Sequence, residues 1–239
     1  MKRFYLTENQ IKNNIIDGDE YNHIKNVMRM KSGDRFIAIG DPDGYDLIFE
    51  LGDLGKSSAT LKFIERQENK SNPKLNIMVV QALAKGDKLD TVTEKATELG
   101  ASAICPIYLK NCDVKEGSGK LARLSRIAIS ATKQCGRSKP LQVYECVNLK
   151  NITALLNSYE LIILANEKED NKPLIEVLNE NKTAKSIAII IGPEGGFTSE
   201  EIETIIALGG KSVTLGRRIL RTETAGLYML SVINEIFDN

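Results

Sequence analysis

Absences narrow the field before any motif is read. The 239-residue chain has no apolar run near the roughly 18 residues of a membrane span, and Met1-Lys2-Arg3-Phe4-Tyr5-Leu6-Thr7-Glu8 lacks an apolar signal core, so a cytoplasmic protein is expected. Cys105, Cys112, Cys135 and Cys146 form no Cys-x-x-Cys pair and only His23 could add an imidazole, which argues against a zinc site and a disulfide framework. Net charge is missing too: 32 basic side chains face 32 acidic ones, and global charge names no partner. No internal repeat or low-complexity tract interrupts a composition 42% hydrophobic and 27% charged, that of a folded chain with room for one large domain or two smaller ones.

What is present is unevenly spread. Residues 110–139 carry eight basic side chains against two acidic, whereas residues 140–205 carry five against eleven. Two further basic groups are Lys25, Arg29, Lys31 and Arg35 around His23, and Lys211, Arg217, Arg218 and Arg221 near the C-terminus. A single such cluster is ordinarily a solvated face. Three in a neutral chain shift the weight toward a polyanion, because clustered cations concentrate phosphate and release its counterions.

Hydrophobic patterning divides the chain into residues 1–72 and 73–239. In the first part, apolar stretches at 2–6, 35–39, 45–51 and 59–65 alternate with turn residues such as Gly40-Asp41-Pro42-Asp43-Gly44, with a short helix at 23–30, which predicts a small barrel-like β domain. The polar stretch 67–73 has linker composition. Beyond it, strands at 75–83, 103–108, 161–165, 186–191 and 212–215 alternate with helices at 88–99, 120–135, 172–180, 199–208 and 222–237. That is the pattern of an α/β domain with a mostly parallel sheet, whose ligands belong at the carboxyl ends of its strands.

Two of those strand ends carry unusual loops. Ile187 to Ile191 runs into Gly192-Pro193-Glu194-Gly195-Gly196-Phe197, and Thr198 with Glu201 makes a capping box that starts the next helix. The glycines let backbone approach a ligand, yet the loop is neither Gly-x-Gly-x-x-Gly nor a P-loop, which disfavours dinucleotides and nucleoside triphosphates. The second loop, Leu215-Gly216-Arg217-Arg218-Ile219-Leu220-Arg221, leads to Thr222 as helix N-cap and Glu223 in the first turn. Capping accounts for the last two residues but not for three arginines, which suit an anionic or carbonyl-rich substrate.

These two motifs in this order resemble the RsmE family, bacterial small-subunit (16S) ribosomal RNA uridine-N3 methyltransferases of the SPOUT superfamily. The resemblance runs nearly the whole chain. It includes His23-x-x-x-Val27-x-Arg29 with Gly33-Asp34, Lys85-Gly86-Asp87-Lys88, Glu94-Lys95-Ala96-Thr97-Glu98-Leu99-Gly100 and Gln134-Cys135-Gly136-Arg137. It departs at Asn111, where the family usually has Arg, and at Ser130, where a Glu often stands; neither lies within the cofactor motifs. The resemblance implies an N-terminal PUA-like barrel for RNA, a SPOUT domain with a C-terminal trefoil knot, a homodimer, and S-adenosylmethionine held mainly by backbone of the knot loops. On this chain the cofactor residues would be Leu164, Ala165, Asn166, Gly192, Pro193, Glu194, Gly195, Gly196, Leu215, Gly216, Ile219, Leu220, Arg221, Thr222, Thr224 and Ala225. RNA would meet Lys25, Arg29, Lys31, Lys85, Lys115, Arg123, Arg126 and Arg137, and no metal is called for.

Methylating uracil N3 requires loss of its proton and stabilisation of charge on O2 and O4. Arg221, with Arg137 second, is expected to offset that charge, and Glu194 and Glu223 are the nearest carboxylates in sequence; each Glu is equally a loop organiser or a first-turn helix acid. A SPOUT enzyme acting on another RNA position or on ribose 2′-O, and a non-catalytic RNA-binding protein, are the competing readings. A Rossmann oxidoreductase is disfavoured by the missing glycine fingerprint.

Overall fold

The computed structural model describes residues 1–114 and 120–237. The chain forms two compact units: Met1–Asn72 with Ile129–Pro140, and Pro73–Ala128 with Leu141–Asn239.

The first unit holds a five-stranded sheet in the order β1-β3-β4-β5-β2, from β1 (Arg3–Tyr5), β2 (Ile15–Asp17), β3 (Arg35–Ile39), β4 (Asp46–Leu54) and β5 (Ser58–Gln67). Its strands alternate inward and outward, so Phe4, Ile16, Phe36, Phe49 and Leu51 share one core with Tyr21 and Ile24. Tyr21 lies on α2 (Gly18–Asn22) and Ile24 on the π-helical turn His23–Val27; with α1 (Glu8–Asn13), these are short elements whose few residues leave little periodicity to read. Residues 129–140 are built into this unit by polar contacts. The Asp46 carboxylate accepts from Arg3 at 2.7 and 2.8 Å, from Asn69 at 2.9 Å and from the Ser138 hydroxyl. Asn72 Oδ1 accepts the backbone N–H groups of Ser138 and Lys139 at 3.0 and 3.1 Å, and Lys133 pairs with Glu20 at 2.6 Å.

The second unit is a parallel sheet ordered β12-β10-β11-β6-β7-β8, with β9 also paired to β7. Its elements are β6 (Asn76–Ala82), α3 (Lys88–Glu98), β7 (Ala103–Tyr108), α4 (Lys120–Cys135), whose residues from Ile129 on belong to the first unit, β8 (Gln142–Val143), β9 (Val147–Asn148), α5 (Leu149–Leu156), β10 (Leu161–Ala165), α6 (Leu174–Glu180), β11 (Ser186–Ile191), α7 (Ser199–Ala207), β12 (Lys211–Val213) and α8 (Thr222–Phe237). Both faces of the sheet are covered. Ile77, Val79, Ile163, Ile187, Ile189 and Ile191 pack with α3, α6 and α8, while Met78, Val80, Ile162, Leu164, Ala188 and Ile190 pack with α5 and α7. This is why these strands read as unbroken apolar runs rather than alternating ones.

β7 and its neighbours extend the sheet on one side of β6, and β10 to β12 extend it on the other. In such a sheet the crevice for ligands lies beyond the strand carboxyl ends where direction reverses. β12 ends at Val213, earlier than the expected 212–215, because Thr214 forms an isolated bridge to Pro173 and the chain then turns away through Gly216 at φ 109°. β8, β9 and α5 were not anticipated; two-residue strands carry no periodic signal, and α5 starts from an Asn148 cap within a polar stretch. Among the described residues no helix is long and apolar enough to cross a membrane.

Candidate active site

A cleft of about 640 Å³ opens at the carboxyl ends of β10, β11 and β12. Of the residues expected to hold cofactor, Ala165, Asn166, Gly192, Pro193, Glu194, Gly195, Gly196, Leu215, Gly216, Ile219, Leu220, Arg221, Thr222 and Ala225 line it. Leu164 does not: it is fully buried in the core on the α5 and α7 face. Thr224 is not on the lining either, and its N–H donates to Arg221 O at 2.9 Å as part of the first turn of α8. Sequence reading missed Lys88, Glu167, Asp170, Ile191 and Thr214, which complete the lining with Arg217 and Arg218.

The turn after β11 is fixed from several directions. Gly196 N–H closes it on Pro193 O at 2.9 Å, with Gly196 at φ 68°. A Cβ on Gly192 would come within 2.7 Å of the Phe197 ring, whose burial anchors the turn to the core. Thr198 and Glu201 form the expected capping box of α7, and Glu201 Oε1 also accepts the backbone N–H of Lys110 at 2.8 Å. Thr222 is the first helical residue of α8 rather than its cap: its hydroxyl donates to Gly192 O at 2.6 Å and accepts from Gln81 at 2.8 Å. Gln81 is buried, its Oε1 has no hydrogen-bond partner among the described residues, and neither feature could be read from its place in an apolar strand. Asn111, outside the cofactor motifs in sequence, donates from Nδ2 to Gly195 O at 3.2 Å and Gly196 O at 3.0 Å.

Charge in the cleft is organised around Lys88. Its Nζ lies 2.8 Å from Glu194 and 3.8 Å from Glu223. The Glu194 hydrogen bond raises the Lys88 pKa above its ordinary value against the cost of desolvation, with the charges of both carboxylates adding to the rise and Arg221 opposing it. Burial pushes the Glu194 carboxyl up, but hydrogen bonds from Lys88, from its own N–H and from the Lys85 N–H, with the Lys88 charge, outweigh this and hold it below the ordinary value. Glu194 is therefore a weak proton acceptor. Glu223 Oε2 is buried and has no hydrogen-bond partner among the described residues. Arg217, Arg218 and Arg221 are exposed on the lining and form no salt bridge among the described residues.

The expected RNA contacts scatter. Lys25, Arg29 and Lys31 are exposed in the first unit, with Arg29 at φ 51° and Lys25 Nζ 2.8 Å from Gly55 O. In the second unit Lys85 pairs with Asp113 at 2.8 Å, Arg123 pairs with Asp90, and Arg126 is exposed. Lys115 lies outside the described residues. Arg137 is not a surface group: it is 3% exposed inside the first unit, and burial lowers its pKa. The sequence motif could not show this, because burial depends on packing that a local pattern does not specify.

The unit that carries the glycine-rich and arginine-rich cleft is of the RNA methyltransferase class: a family profile described as RNA methyltransferase domain matches residues 70–234, and one described as RNA methyltransferase PUA domain matches residues 16–64. A Bacillus subtilis relative, ribosomal RNA small subunit methyltransferase E, is 33% identical, the alignment covering 98% of this chain and 96% of the relative. The chain belongs to the ribosomal RNA small subunit methyltransferase E family. Its fold is similar to the Neisseria gonorrhoeae ribosomal RNA small subunit methyltransferase E bound to S-adenosylmethionine, with TM-score 0.83, 29% identity and coverage of 99% of this chain and 98% of the other. A Legionella pneumophila putative methyltransferase in complex with the same cofactor gives TM-score 0.83 at 26% identity, covering 98% and 96%.

Proposed function

We propose that this chain transfers the methyl group of S-adenosylmethionine to N3 of a uridine in small-subunit ribosomal RNA. One observation carries the reading: residues 192–196 and 215–222, the two family motifs, follow β11 and β12, the parallel strands on either side of β10, and line a single cleft at their ends. Its volume suits a nucleoside-sized ligand. The carboxylates of Glu167, Asp170 and Glu194 complement a cationic sulfonium and ammonium, and the free arginines a carboxylate or phosphate. That donor set fits the cofactor its relatives bind.

S-adenosylmethionine supplies an electrophilic methyl on positive sulfur. The residues of the chain must then orient uracil in line with it, take the N3 proton and offset charge on O2 and O4. Arg221 is the candidate for the last task, since it lines the cleft and forms no salt bridge among the described residues. Glu194 and Glu223 are the candidate proton acceptors: Glu194 lines the cleft but is hydrogen-bonded to Lys88, whereas Glu223 lies behind the lining with Oε2 3.8 Å from the same lysine. In this reading the PUA-like domain, residues 1–72, presents Lys25, Arg29 and Lys31 to RNA, and residues 73–239, apart from the stretch 129–140 that joins the first unit, form the SPOUT domain with its knotted cofactor site. The working unit is a cytoplasmic homodimer, for which α8 offers Tyr228, 45% exposed beyond the face it buries.

Calorimetry with S-adenosylmethionine and mass spectrometry of nucleosides from small-subunit RNA treated with the protein test this directly. Cofactor binding and 3-methyluridine are expected. Methyl on a ribose 2′-oxygen or another base would replace the substrate assignment, and RNA binding without cofactor binding would leave a non-catalytic module.

A further inference from the structure

We propose that Asn111 is a positioning residue for the cofactor: its carboxamide holds the carbonyls of Gly195 and Gly196 and so keeps the turn 192–196 in the shape that receives S-adenosylmethionine. The inference rests on the cofactor reading above and adds a residue from outside both family motifs.

Gly195 and Gly196 are adjacent residues without Cβ, with Gly196 at φ 68°, and the bond from Gly196 N–H to Pro193 O that closes the turn engages neither glycine carbonyl. Both carbonyls nevertheless have a donor. A primary amide carries two N–H groups on one nitrogen, and Asn111 Nδ2 reaches Gly195 O at 3.2 Å and Gly196 O at 3.0 Å. Contact reinforces the hydrogen bonds: a Cβ on Gly195 would lie 3.0 Å from Asn111 Cβ and 3.2 Å from Asn111 O, so the two backbones touch here.

Asn111 is itself delivered on a fixed support. Cys112 N–H donates to Leu109 O at 3.1 Å, and Leu109 N–H to Cys112 Sγ at 3.4 Å, which closes the turn that follows β7. Lys110 N–H is tied to Glu201 Oε1 at 2.8 Å, and Glu201 Oε2 accepts the N–H of Thr198 at 2.9 Å. The β7 turn and the capping box of α7 are thus one hydrogen-bonded block, with the Asn111 amide projecting from it onto the two glycine carbonyls. A loop that is competent only part of the time binds its ligand more weakly by that fraction, and the loss appears in affinity rather than in the step after binding.

The test compares wild type, Asn111→Ala and Asn111→Asp. Both substitutions keep the Cβ that packs beneath Gly195 and remove the paired donors. At neutral pH each is expected to raise the calorimetric Kd for S-adenosylmethionine about tenfold or more, with KM for the cofactor rising in parallel and kcat at saturating cofactor near wild type. Asn111→Asp carries a further signature. Its carboxylate faces two carbonyl oxygens, so acidification that protonates it restores one O–H donor and brings its affinity back toward wild type, which Asn111→Ala cannot do. Wild-type affinity in either variant at neutral pH would overturn the role, as would a loss in Asn111→Asp that no lowering of pH relieves. A wild-type chain that does not bind the cofactor would overturn the cofactor reading itself, and with it this one.

Discussion

Gly195 shows how little room the cleft leaves at the level of one residue. Its φ is not left-handed, so the obstacle to a side chain there is not backbone strain but the Cβ contact with Asn111. Gly195→Val is therefore expected to weaken cofactor binding by displacing Asn111 while the β-rich first unit stays folded; unchanged calorimetric affinity would contradict it. Gly196→Ala meets a different limit, the left-handed φ of 68° together with the Glu167 carboxylate, and should cost about 1 kcal/mol of stability. Lys88 and Glu194 make a third case, in which pH is the probe. The folded pKa of Glu194 is depressed, so its contribution is complete above its ordinary 4.5 and is lost as pH falls through the lower folded value. The Lys88 contribution is complete below its ordinary 10.5 and is lost only as pH rises through its raised value. Lys88→Met removes the cation and leaves burial to push Glu194 up, so the acid limb of stability should move to higher pH in denaturation midpoints measured across an acid series. An acid limb that stays in place would show that Lys88 does not hold Glu194 down.

Elements locate the site through their ends. α7 begins where its capping box says it should, and Glu201 serves that box and the Lys110 backbone at once. Thr198→Ala is expected to cost about 1 kcal/mol in chemical denaturation and to weaken cofactor binding as well, since the same cap terminates the glycine turn. α8 is pinned differently, by a hydroxyl running from Gln81 through Thr222 to Gly192 O. Thr222→Val keeps the shape and removes that hydroxyl, leaving a buried amide N–H and a carbonyl without partners, so a loss of about 1–3 kcal/mol is expected. Denaturant midpoints that match wild type would mean the relay is not a stabilising contact.

At the scale of the whole molecule, the chain returns to its first unit after leaving it. Ser138, Asn72, Asn69, Asp46 and Arg3 form one partly buried polar cluster, and Lys133 reaches Glu20. A fragment ending at residue 72 has the sheet but lacks Ser138 and Lys133. It is expected to unfold broadly rather than cooperatively, whereas the full chain should show a cooperative transition for this unit; a sharp two-state transition in the fragment would refute the need for residues 129–140. RNA affinity of the full chain should fall steeply with salt. Replacing Arg29 and Lys31 by Ala should flatten the log–log slope by about 0.7 to 0.9 for each phosphate no longer neutralised, without changing cofactor affinity. A slope equal to that of wild type would remove these two residues from the RNA-binding surface.

The strands β7, β10 and β11 and the helix α8 have the boundaries their sequence predicts, because each is a closed run of apolar or amphipathic residues whose periodicity is a local property. The capping box at Thr198 is local as well, and so was legible. The two cleft loops could be named for the same reason, their glycines and arginines being adjacent in sequence. Tertiary structure alone decided which side chains brace those loops. Lys88 meets Glu194 across 106 residues, Asn111 meets Gly195 across 84 and Gln81 meets Thr222 across 141, and no pattern in a linear sequence encodes a hydrogen bond between such distant partners. Arg137 makes the same point from the other direction: its motif reads as an exposed cation, yet tertiary packing leaves it 3% exposed.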